Sequence, residues 1–221
     1  IIDSLANIST KVLKNLYLMK SRLKNQNKSV LKFFSGDIRD KFLLNKIFTY
    51  ANTCNLSIDL VIHFAGLKSV ADSEKYPNYY WNVNFKGTKT LIEVMEIHNC
   101  FSIVFSSSAT IYGNNNDLIL SEESKINPVN VYGKTKFSVE KFLKKKYVEN
   151  PIRWNIINLR YFNPIGAYHS GLFGETILNK PTNLFPLICM VASKEMPYLE
   201  IFGNNWDTFD GTTIRDYVHT L

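Results

Sequence analysis

Short apolar runs alternate with longer helix-forming stretches over most of the chain, and this alternation limits the possible folds more than any other feature. The apolar runs have the length and β-branched composition of buried strands, and the stretches between them repeat their apolar residues at helical spacing. Strands that alternate with helices of this length form βαβ units with parallel strands and right-handed crossovers. The sequence therefore predicts an α/β fold with a parallel sheet.

The pattern also predicts where the elements lie and where it stops. The predicted strands are 1–3, 30–34, 59–64, 102–105 and 154–160, and the predicted helices are 10–25, 40–53, 78–98 and 130–148. After Asn163, glycines and prolines interrupt the alternation, which leaves a short helix at 184–193 and short strands at 199–202 and 214–218. We therefore expect one domain over residues 1–163 and the start of a smaller region over 164–221.

Composition excludes several classes of function. The net charge of +7 comes largely from lysines on predicted helix faces, without an aromatic-interleaved basic stripe, so we expect no nucleic-acid partner. No apolar run is long enough to span a membrane, and the histidines lack ligand spacing, so we expect neither a membrane span nor a metal site. Three widely spaced cysteines indicate reduced thiols and a cytoplasmic location. Because the chain starts at Ile1 without methionine, a targeting segment before it stays open.

Polar or glycine-bearing stretches follow five successive predicted strands. In an open α/β sheet, ligands bind beyond the carboxyl ends of the strands. An acidic residue such as Asp3 can accept hydrogen bonds from a ribose, Gly66 lets the backbone approach a ligand, and Lys68 can reach a phosphate. The stretches are Asp3, Asp37, Phe64 to Lys68, Ser106 to Ser108, and Tyr161 to Asn163.

Ser108, Tyr132 and Lys136 form the most informative set. Tyr132 and Lys136 are four residues apart on a predicted helix and therefore share one face. A nearby ammonium and a cationic nicotinamide would lower the pKa of the phenol, so that it could take a proton from an alcohol. Ser108, just past the preceding strand, could hydrogen-bond the same hydroxyl. A tyrosine and a lysine at this spacing also occur by chance in helices, but the serine one strand earlier favours the catalytic interpretation.

These residues lie within stretches by which the chain resembles the extended short-chain dehydrogenase/reductase family, and within it the UDP-sugar 4-epimerases. The resemblance implies a Rossmann-like, doubly wound parallel sheet that lacks its N-terminal glycine-rich turn and first βα unit, and also lacks the C-terminal part. Such a fragment is expected to be inactive alone. The matching stretches are IIDSLAN at 1–7, GDIRD at 36–40, IHFAGLKSV at 62–70, NFKGT at 84–88, FSSSATIYG at 105–113, VYGKTKFSVE at 131–140, LRYFNPIGA at 159–167, NLFP at 183–186 and IFGNNWDTFDGTTIRDYVH at 201–219.

The resemblance implies an NAD cofactor, a UDP-sugar substrate and a homodimer formed through helices 78–98 and 130–148. Tyr132 would be the catalytic base, with Lys136 as its electrostatic partner and Ser108 beside it. The residues implied to bind NAD are Asp3, Ser4, Leu5, Ala6, Asn7, Ile8, Asp37, Ile38, Phe64, Ala65, Gly66, Leu67, Lys68, Asn84, Ser106, Ser107, Ser108, Tyr132, Lys136 and Phe162. The residues implied to bind the substrate are Ser108, Tyr132, Asn163, Asn183, Leu184, Glu200, Ile201, Phe202 and Arg215.

The activity implied is the interconversion of UDP-galactose and UDP-glucose. The sugar would be oxidised at C4, turn over as a 4-keto sugar and be reduced on the opposite face. Three alternatives remain: a 4-epimerase that acts on a related nucleotide-sugar, a related dehydratase or decarboxylase, and a non-catalytic NAD-binding module. Dehydration and decarboxylation need a carboxyl group directly after the serine or two positions beyond it, where this chain has Ala109 and Thr110.

Overall fold

The computed structural model describes residues 1–6, 10–22, 30–115, 119–175, 181 and 183–220. The chain divides into two compact units, the first formed by residues 1–4 and 32–161 and the second by residues 5–31 and 162–221. Residues 5–31, expected in the first domain, thus group with the later part of the chain. The domain limits at 163 and 164 stay a prediction.

The strands of the first unit are all parallel, as predicted. β1 (Ile2–Asp3) pairs with β2 (Phe34–Ser35), and β3 (Val61–His63), β4 (Ser102–Ser106) and β5 (Asn155–Leu159) form a second ladder in that order. The second strand is much shorter than the predicted 30–34, because its ladder extends only as far as the two residues of β1.

Two long helices of the first unit begin directly after N-cap residues, whose side chains accept hydrogen bonds from N–H groups of the first helical turn. The Asp40 side chain accepts a hydrogen bond from the Leu43 N–H at the start of α2 (Lys41–Thr53), and Asn130 accepts one from the Gly133 N–H at the start of α6 (Val131–Glu149). Between β3 and β4 lie α3 (Val70–Lys75), α4 (Pro77–Tyr80), a π-helix (Trp81–Lys86) and α5 (Gly87–Ile97). The single helix predicted over 78–98 is therefore a helical segment with a π-helix inside it.

The core lies between the three-stranded ladder and helices α2, α5 and α6. Ile103 and Phe105 alternate along β4 and are fully buried against α5 and α6, as the period of two requires. On the opposite face, Ile62, Val104 and Ile157 are directly paired across the strands, and Ile62 and Ile157 are 60% and 55% exposed. The core helices thus cover one face of this ladder. The core side chains are Leu44, Phe48, Leu91, Ile92, Val94, Met95, Cys100, Ile103, Phe105, Val139, Leu143 and Trp154.

The second unit contains α1 (Thr10–Arg22), α7 (Leu184–Ala192) and a two-stranded parallel ladder of β6 (Asn163–Ile165) and β7 (Tyr217–His219). β6 was not predicted. β7 includes the last two residues of the strand expected at 214–218 and continues for one residue beyond it. The strand predicted at 199–202 is wrong. Its apolar residues resemble a strand in sequence, but Ile201 and Phe202 are exposed and the stretch pairs with no strand among the described residues.

Candidate active site

Three consecutive serines at the carboxyl end of β4 lie along three consecutive turns of α6. The Lys136 Nζ donates to the Ser106 carbonyl oxygen at 2.7 Å, and the Ser107 hydroxyl donates to the Glu140 carboxylate. The Ser108 hydroxyl lies near the Tyr132 phenol. Because residues 132, 136 and 140 are spaced by four, they share one face of the helix. The structure therefore brings together the three predicted catalytic residues.

Ser108 is held in place by a short helix that follows it. It is the N-cap of a 3-10 helix (Ala109–Tyr112), and its Oγ accepts hydrogen bonds from the Thr110 N–H at 3.3 Å and the Thr110 hydroxyl at 3.0 Å. Gly133 allows this helix to approach α6, since a Cβ there would lie only 2.9 Å from the Thr110 carbonyl oxygen. The glycine after Tyr132 thus keeps the tyrosine and the serine close.

The predicted lowering of the Tyr132 pKa requires both an ammonium and a cationic nicotinamide, and it stays a prediction. Burial raises the pKa of the phenol, and the nearby Ser108 hydroxyl only partly opposes this. The Lys136 ammonium lies 5.8 Å from the centroid of the Tyr132 ring and donates instead to the Ser106 carbonyl. The phenol therefore depends on a further positive charge in the site to ionise near neutral pH.

Lys136 is a buried cation. Burial lowers its pKa to about 8, so that most of the population is still an ammonium at pH 7. The Nζ lies 4.9 Å from the centroid of the Phe105 ring, within the range of a cation–π interaction. An ammonium has three N–H donors, and one of them is used by the Ser106 carbonyl.

The turn after β3 is fixed by Asn84 on the π-helix. The buried Asn84 amide accepts from the Leu67 N–H at 2.8 Å and donates to the Leu67 carbonyl at 3.0 Å and to Thr135 Oγ1 at 3.2 Å. Gly66 lies against this amide, and a Cβ there would come within 3.0 Å of Asn84 Oδ1 and 3.8 Å of the Lys136 Nζ. Asn84, predicted to line the cofactor, therefore supports the Phe64 to Lys68 turn through its own side chain. π-Helical turns are often found at functional sites.

Sequence reasoning missed an ion pair next to the serines, whose carboxylate is buried and whose guanidinium is partly buried. Arg160, at the end of β5, donates to both Glu140 oxygens, at 3.2 and 2.9 Å, and to the Tyr112 hydroxyl at 2.9 Å. The carboxylate beside it raises the pKa of Arg160 further. One signal was available, because Glu140 continues the spacing of four from Tyr132 and Lys136.

The residues predicted around the adenosine half of a cofactor lie at the ends of β1 and β2. The Gly36 N–H donates to the Asp3 carbonyl at 3.0 Å, so the two strand ends adjoin. The Asp37 carboxylate forms a two-point pair with Arg39, at 2.9 and 2.7 Å, which lowers the pKa of Asp37. Ile38 is buried, and Leu5 has a φ of 58°. Asn7 and Ile8 lie outside the described residues.

The predicted substrate-binding residues that follow position 161 all belong to the second unit. Phe162, which was predicted to contact the cofactor, also belongs to it. Asn163 opens β6 and donates to the Asp216 carbonyl at 2.8 Å, and Asn183 precedes α7 and donates to Glu175 at 2.6 Å. Arg215 donates to the adjacent Ile214 carbonyl. Leu184, Glu200, Ile201 and Phe202 are exposed. Their roles toward a ligand stay predictions.

Two features are absent from the described residues. No helix there has the length and apolar character to cross a membrane. No group of three or more His, Cys, Asp or Glu side chains there could hold a metal ion.

The sequence match to known families covers nearly the whole chain. The NAD dependent epimerase/dehydratase family matches residues 9–221. The chain belongs to this family. Among curated relatives, UDP-glucose 4-epimerase 2 of Arabidopsis thaliana is 41% identical over 221 residues, and UDP-glucose 4-epimerase of Neisseria meningitidis serogroup A is 43% identical over 222 residues. These matches include 100% of this chain but 60% and 62% of the relatives, so the chain spans about three fifths of their length.

Solved structures of the family share the fold. A UDP-glucose 4-epimerase from Bifidobacterium longum, in complex with NAD+ and UDP, superposes with a TM-score of 0.88 at 39% identity. The match covers 99% of this chain and 62% of the Bifidobacterium longum chain. The enzyme from Stenotrophomonas maltophila, with bound NAD and formylated UDP-arabinopyranose, gives a TM-score of 0.86 at 36% identity, with 99% and 61% covered. The predicted Rossmann-like α/β fold is thereby confirmed.

Proposed function

We propose that the complete protein interconverts UDP-galactose and UDP-glucose with NAD as a retained cofactor. The observation that carries this proposal is the convergence of Ser108, Tyr132 and Lys136 at the carboxyl end of β4 in a member of the NAD dependent epimerase/dehydratase family. Relatives named UDP-glucose 4-epimerase, at about 40% identity over the whole chain, support this choice of sugar nucleotide.

The residues at the strand ends fit a dinucleotide. Gly66 keeps the turn after β3 free of a side chain beside Lys136, and the Lys136 ammonium has N–H donors suited to ribose hydroxyls. We propose that Asp3, the Phe64 to Lys68 turn and Lys136 hold the cofactor. NAD, when bound, supplies the acceptor and then the donor of a hydride, together with a positive charge on its nicotinamide ring.

The chain's own residues move the proton. Tyr132 accepts the proton of the sugar 4-hydroxyl and later returns it, and Ser108 donates a hydrogen bond that holds the same oxygen. Lys136 contributes positive charge within reach of the phenol. Because burial alone raises the pKa of Tyr132, we infer that the phenol ionises only in the loaded site, which couples proton removal to the presence of the cofactor.

The residues after Ser108 favour simple epimerisation over the related eliminations. Ala109 and Thr110 occupy the positions where a dehydratase or decarboxylase needs a carboxyl group, and the Thr110 hydroxyl is bonded to Ser108. The buried carboxylate of Glu140 is held by Arg160 and Ser107 instead. A non-catalytic NAD-binding module would need neither Ser108 nor Tyr132.

We propose that the second unit binds the nucleotide part of the substrate. The candidate residues are Asn163, Asn183, Leu184, Glu200, Ile201, Phe202 and Arg215, of which Arg215 suits a diphosphate because a guanidinium fork binds anionic oxygens at two points. Binding through the nucleotide would leave the sugar free to turn over between the two hydride transfers.

The setting of the enzyme is a further proposal. We propose a role in galactose metabolism and a homodimer that uses the helical segments 77–97 and 131–149, whose Tyr79, Ile97, Tyr147 and Val148 are exposed. We also propose a cytoplasmic location, which the free thiols of Cys54, Cys100 and Cys189 support.

The test is to mix the complete protein with UDP-galactose and follow UDP-glucose without added NAD. Turnover is expected, and Tyr132→Phe should lower kcat by about 100-fold or more while the bound NAD content is unchanged. Tyr50→Phe, at an exposed tyrosine on α2, is the matched control and should keep full activity. A Tyr132→Phe protein with unaltered turnover, or release of a 4-keto-6-deoxy sugar by the parent, would overturn the proposal.

A further inference from the structure

Glu140 and Arg160 form a two-point ion pair, with a buried carboxylate and a partly buried guanidinium, that the proposed proton transfer does not use. Glu140 is 6% exposed, and Arg160 donates to its two oxygens at 3.2 and 2.9 Å. Two parallel N–H···O bonds fix the relative orientation of the carboxylate and the guanidinium, which a single contact would not do.

The pair joins four separate segments of the first unit. Glu140 lies on α6 and accepts from the Ser107 hydroxyl at the end of β4, whereas Arg160 follows β5. The Arg160 Nη1 also donates to the Tyr112 hydroxyl at 2.9 Å, at the end of the 3-10 helix, and to the Glu122 carbonyl at 3.1 Å. The segment from Ser107 to Tyr112, which contains Ser108, is therefore held at both ends by one pair of side chains.

Stability gives a weak reason for such a pair. Removing two charges from water costs free energy, and apolar side chains of the same size often stabilise a core as well or better. An apolar pair could not accept a hydrogen bond from the Ser107 hydroxyl, as Glu140 does, or donate one to the Tyr112 hydroxyl, as Arg160 does. The hydrogen bonds therefore point to a role in positioning.

We propose that Glu140 and Arg160 are positioning residues that set the distance between Ser108 and Tyr132 by holding the serine segment against α6. This inference rests on the proposed function, because it assigns these residues to the same proton-transfer site. A displacement of about 1 Å at a reacting group can cost on the order of 100-fold in rate. The pair therefore acts on kcat through Ser108, without contact with the substrate.

Two variants in the complete, NAD-loaded protein test this proposal. Ser107→Ala removes only the hydroxyl that joins the serine segment to Glu140 and leaves the ion pair intact. Glu140→Gln turns an amide donor toward the Arg160 donors and so disturbs both links. Glu96→Gln is the matched control. Glu96, on α5, forms an ion pair at 2.8 Å with Lys146, which lies on α6 like Glu140 but away from the serines.

We expect kcat to fall about 10-fold in Ser107→Ala and on the order of 100-fold in Glu140→Gln, with little change in the KM for UDP-galactose. Amide hydrogen exchange at residues 107–112 should become faster in both variants and stay unchanged in Glu96→Gln. If the parent turns over and Ser107→Ala matches the control in kcat and in exchange, the positioning role is overturned. Absence of turnover in the parent would overturn the proposed function, and the exchange comparison alone would then decide the positioning role.

Discussion

Lys136 illustrates how a single side chain can serve chemistry at the expense of stability. Its buried ammonium has one hydrogen bond, to the Ser106 carbonyl, and burial lowers its pKa from 10.5 to about 8. That fall corresponds to about 3 kcal/mol of unfavourable burial of the charged form at pH 7. The lost hydrogen bond of an apolar replacement would offset about 1 kcal/mol of this.

We therefore predict that Lys136→Met abolishes turnover and yet raises the free energy of unfolding at pH 7 by about 2 kcal/mol. Because the pKa of Lys136 is lower in the folded state than in the unfolded state, the parent gains stability as pH rises from 8 to 10.5. The difference in free energy of unfolding between Lys136→Met and the parent should therefore shrink over that pH range. Urea unfolding at pH 7 and pH 10 measures both values. Lys144→Met, at an exposed lysine of the same helix, should change neither, and a strongly destabilised Lys136→Met would contradict the argument.

His63 is a neutral, structural histidine at the end of β3. Burial, followed by the charge of Lys136, lowers its pKa to about 3. Thr88 donates its hydroxyl hydrogen to the Asn84 carbonyl at 2.6 Å, so its oxygen must accept from the His63 Nε2–H at 2.8 Å. Protonation would add a second positive charge near Lys136, where no water can solvate it.

This residue predicts part of the acid sensitivity of the protein. The unfolded histidine binds a proton below pH 6.5 and the folded one does not until about pH 3, so stability is lost as pH falls through that window. Urea unfolding at several pH values between 6 and 4 measures how the free energy of unfolding changes with pH. This pH dependence should be smaller by about 1.4 kcal/mol per pH unit in His63→Gln than in the parent. His98→Gln, on α5's far end, serves as the control, and equal slopes in all three proteins would remove His63 as the cause.

At the scale of elements, the sequence predicted the parallel strands and the helices because their signals are local. Asp40 and Asn130 stand directly before helical patterns, and the side chain of each accepts a hydrogen bond from a helix N–H group. The π-helix at 81–86 has no such signal, since its hydrogen-bond register depends on the packing that brings Asn84 to Leu67. Glu140 was missed for a similar reason, because its partner Arg160 meets it only across the folded sheet.

The two caps give an element-scale prediction with an internal control. Asp40→Ala and Asn130→Ala should each lower the free energy of unfolding by about 1 kcal/mol, because each leaves one helix N–H without its side-chain acceptor. Only Asn130→Ala should also lower kcat, since α6 carries Tyr132 two residues later. Thermal unfolding and steady-state kinetics on the complete protein separate the two effects. An equal loss of kcat in Asp40→Ala would mean that general loosening, and not the start of α6, limits turnover.

At the scale of the whole molecule, the sequence could specify a sheet but not how much of it these residues cover. Parallel sheets in folded proteins are covered on both faces. Here the buried residues of β4 face α5 and α6, and the paired row of Ile62, Val104 and Ile157 on the other face remains largely open. The apolar pattern of these strands predicts burial on both sides, and alternation within β4 alone could not show which face the helices of the core would take.

This open row leads to a prediction that compares the 221-residue chain with the complete protein. The chain expressed by itself should bind a hydrophobic dye, and Ile62→Lys with Ile157→Lys should lower that binding without lowering stability, because both positions are more than half exposed. In a protein of its relatives' full length, the same pair should be strongly destabilising, because we propose that the additional sequence there completes the sheet's second layer. The exposed pair Leu56→Lys with Ile152→Lys controls for added charge. Dye binding that persists after the first pair of substitutions would place the exposed apolar surface elsewhere in the chain.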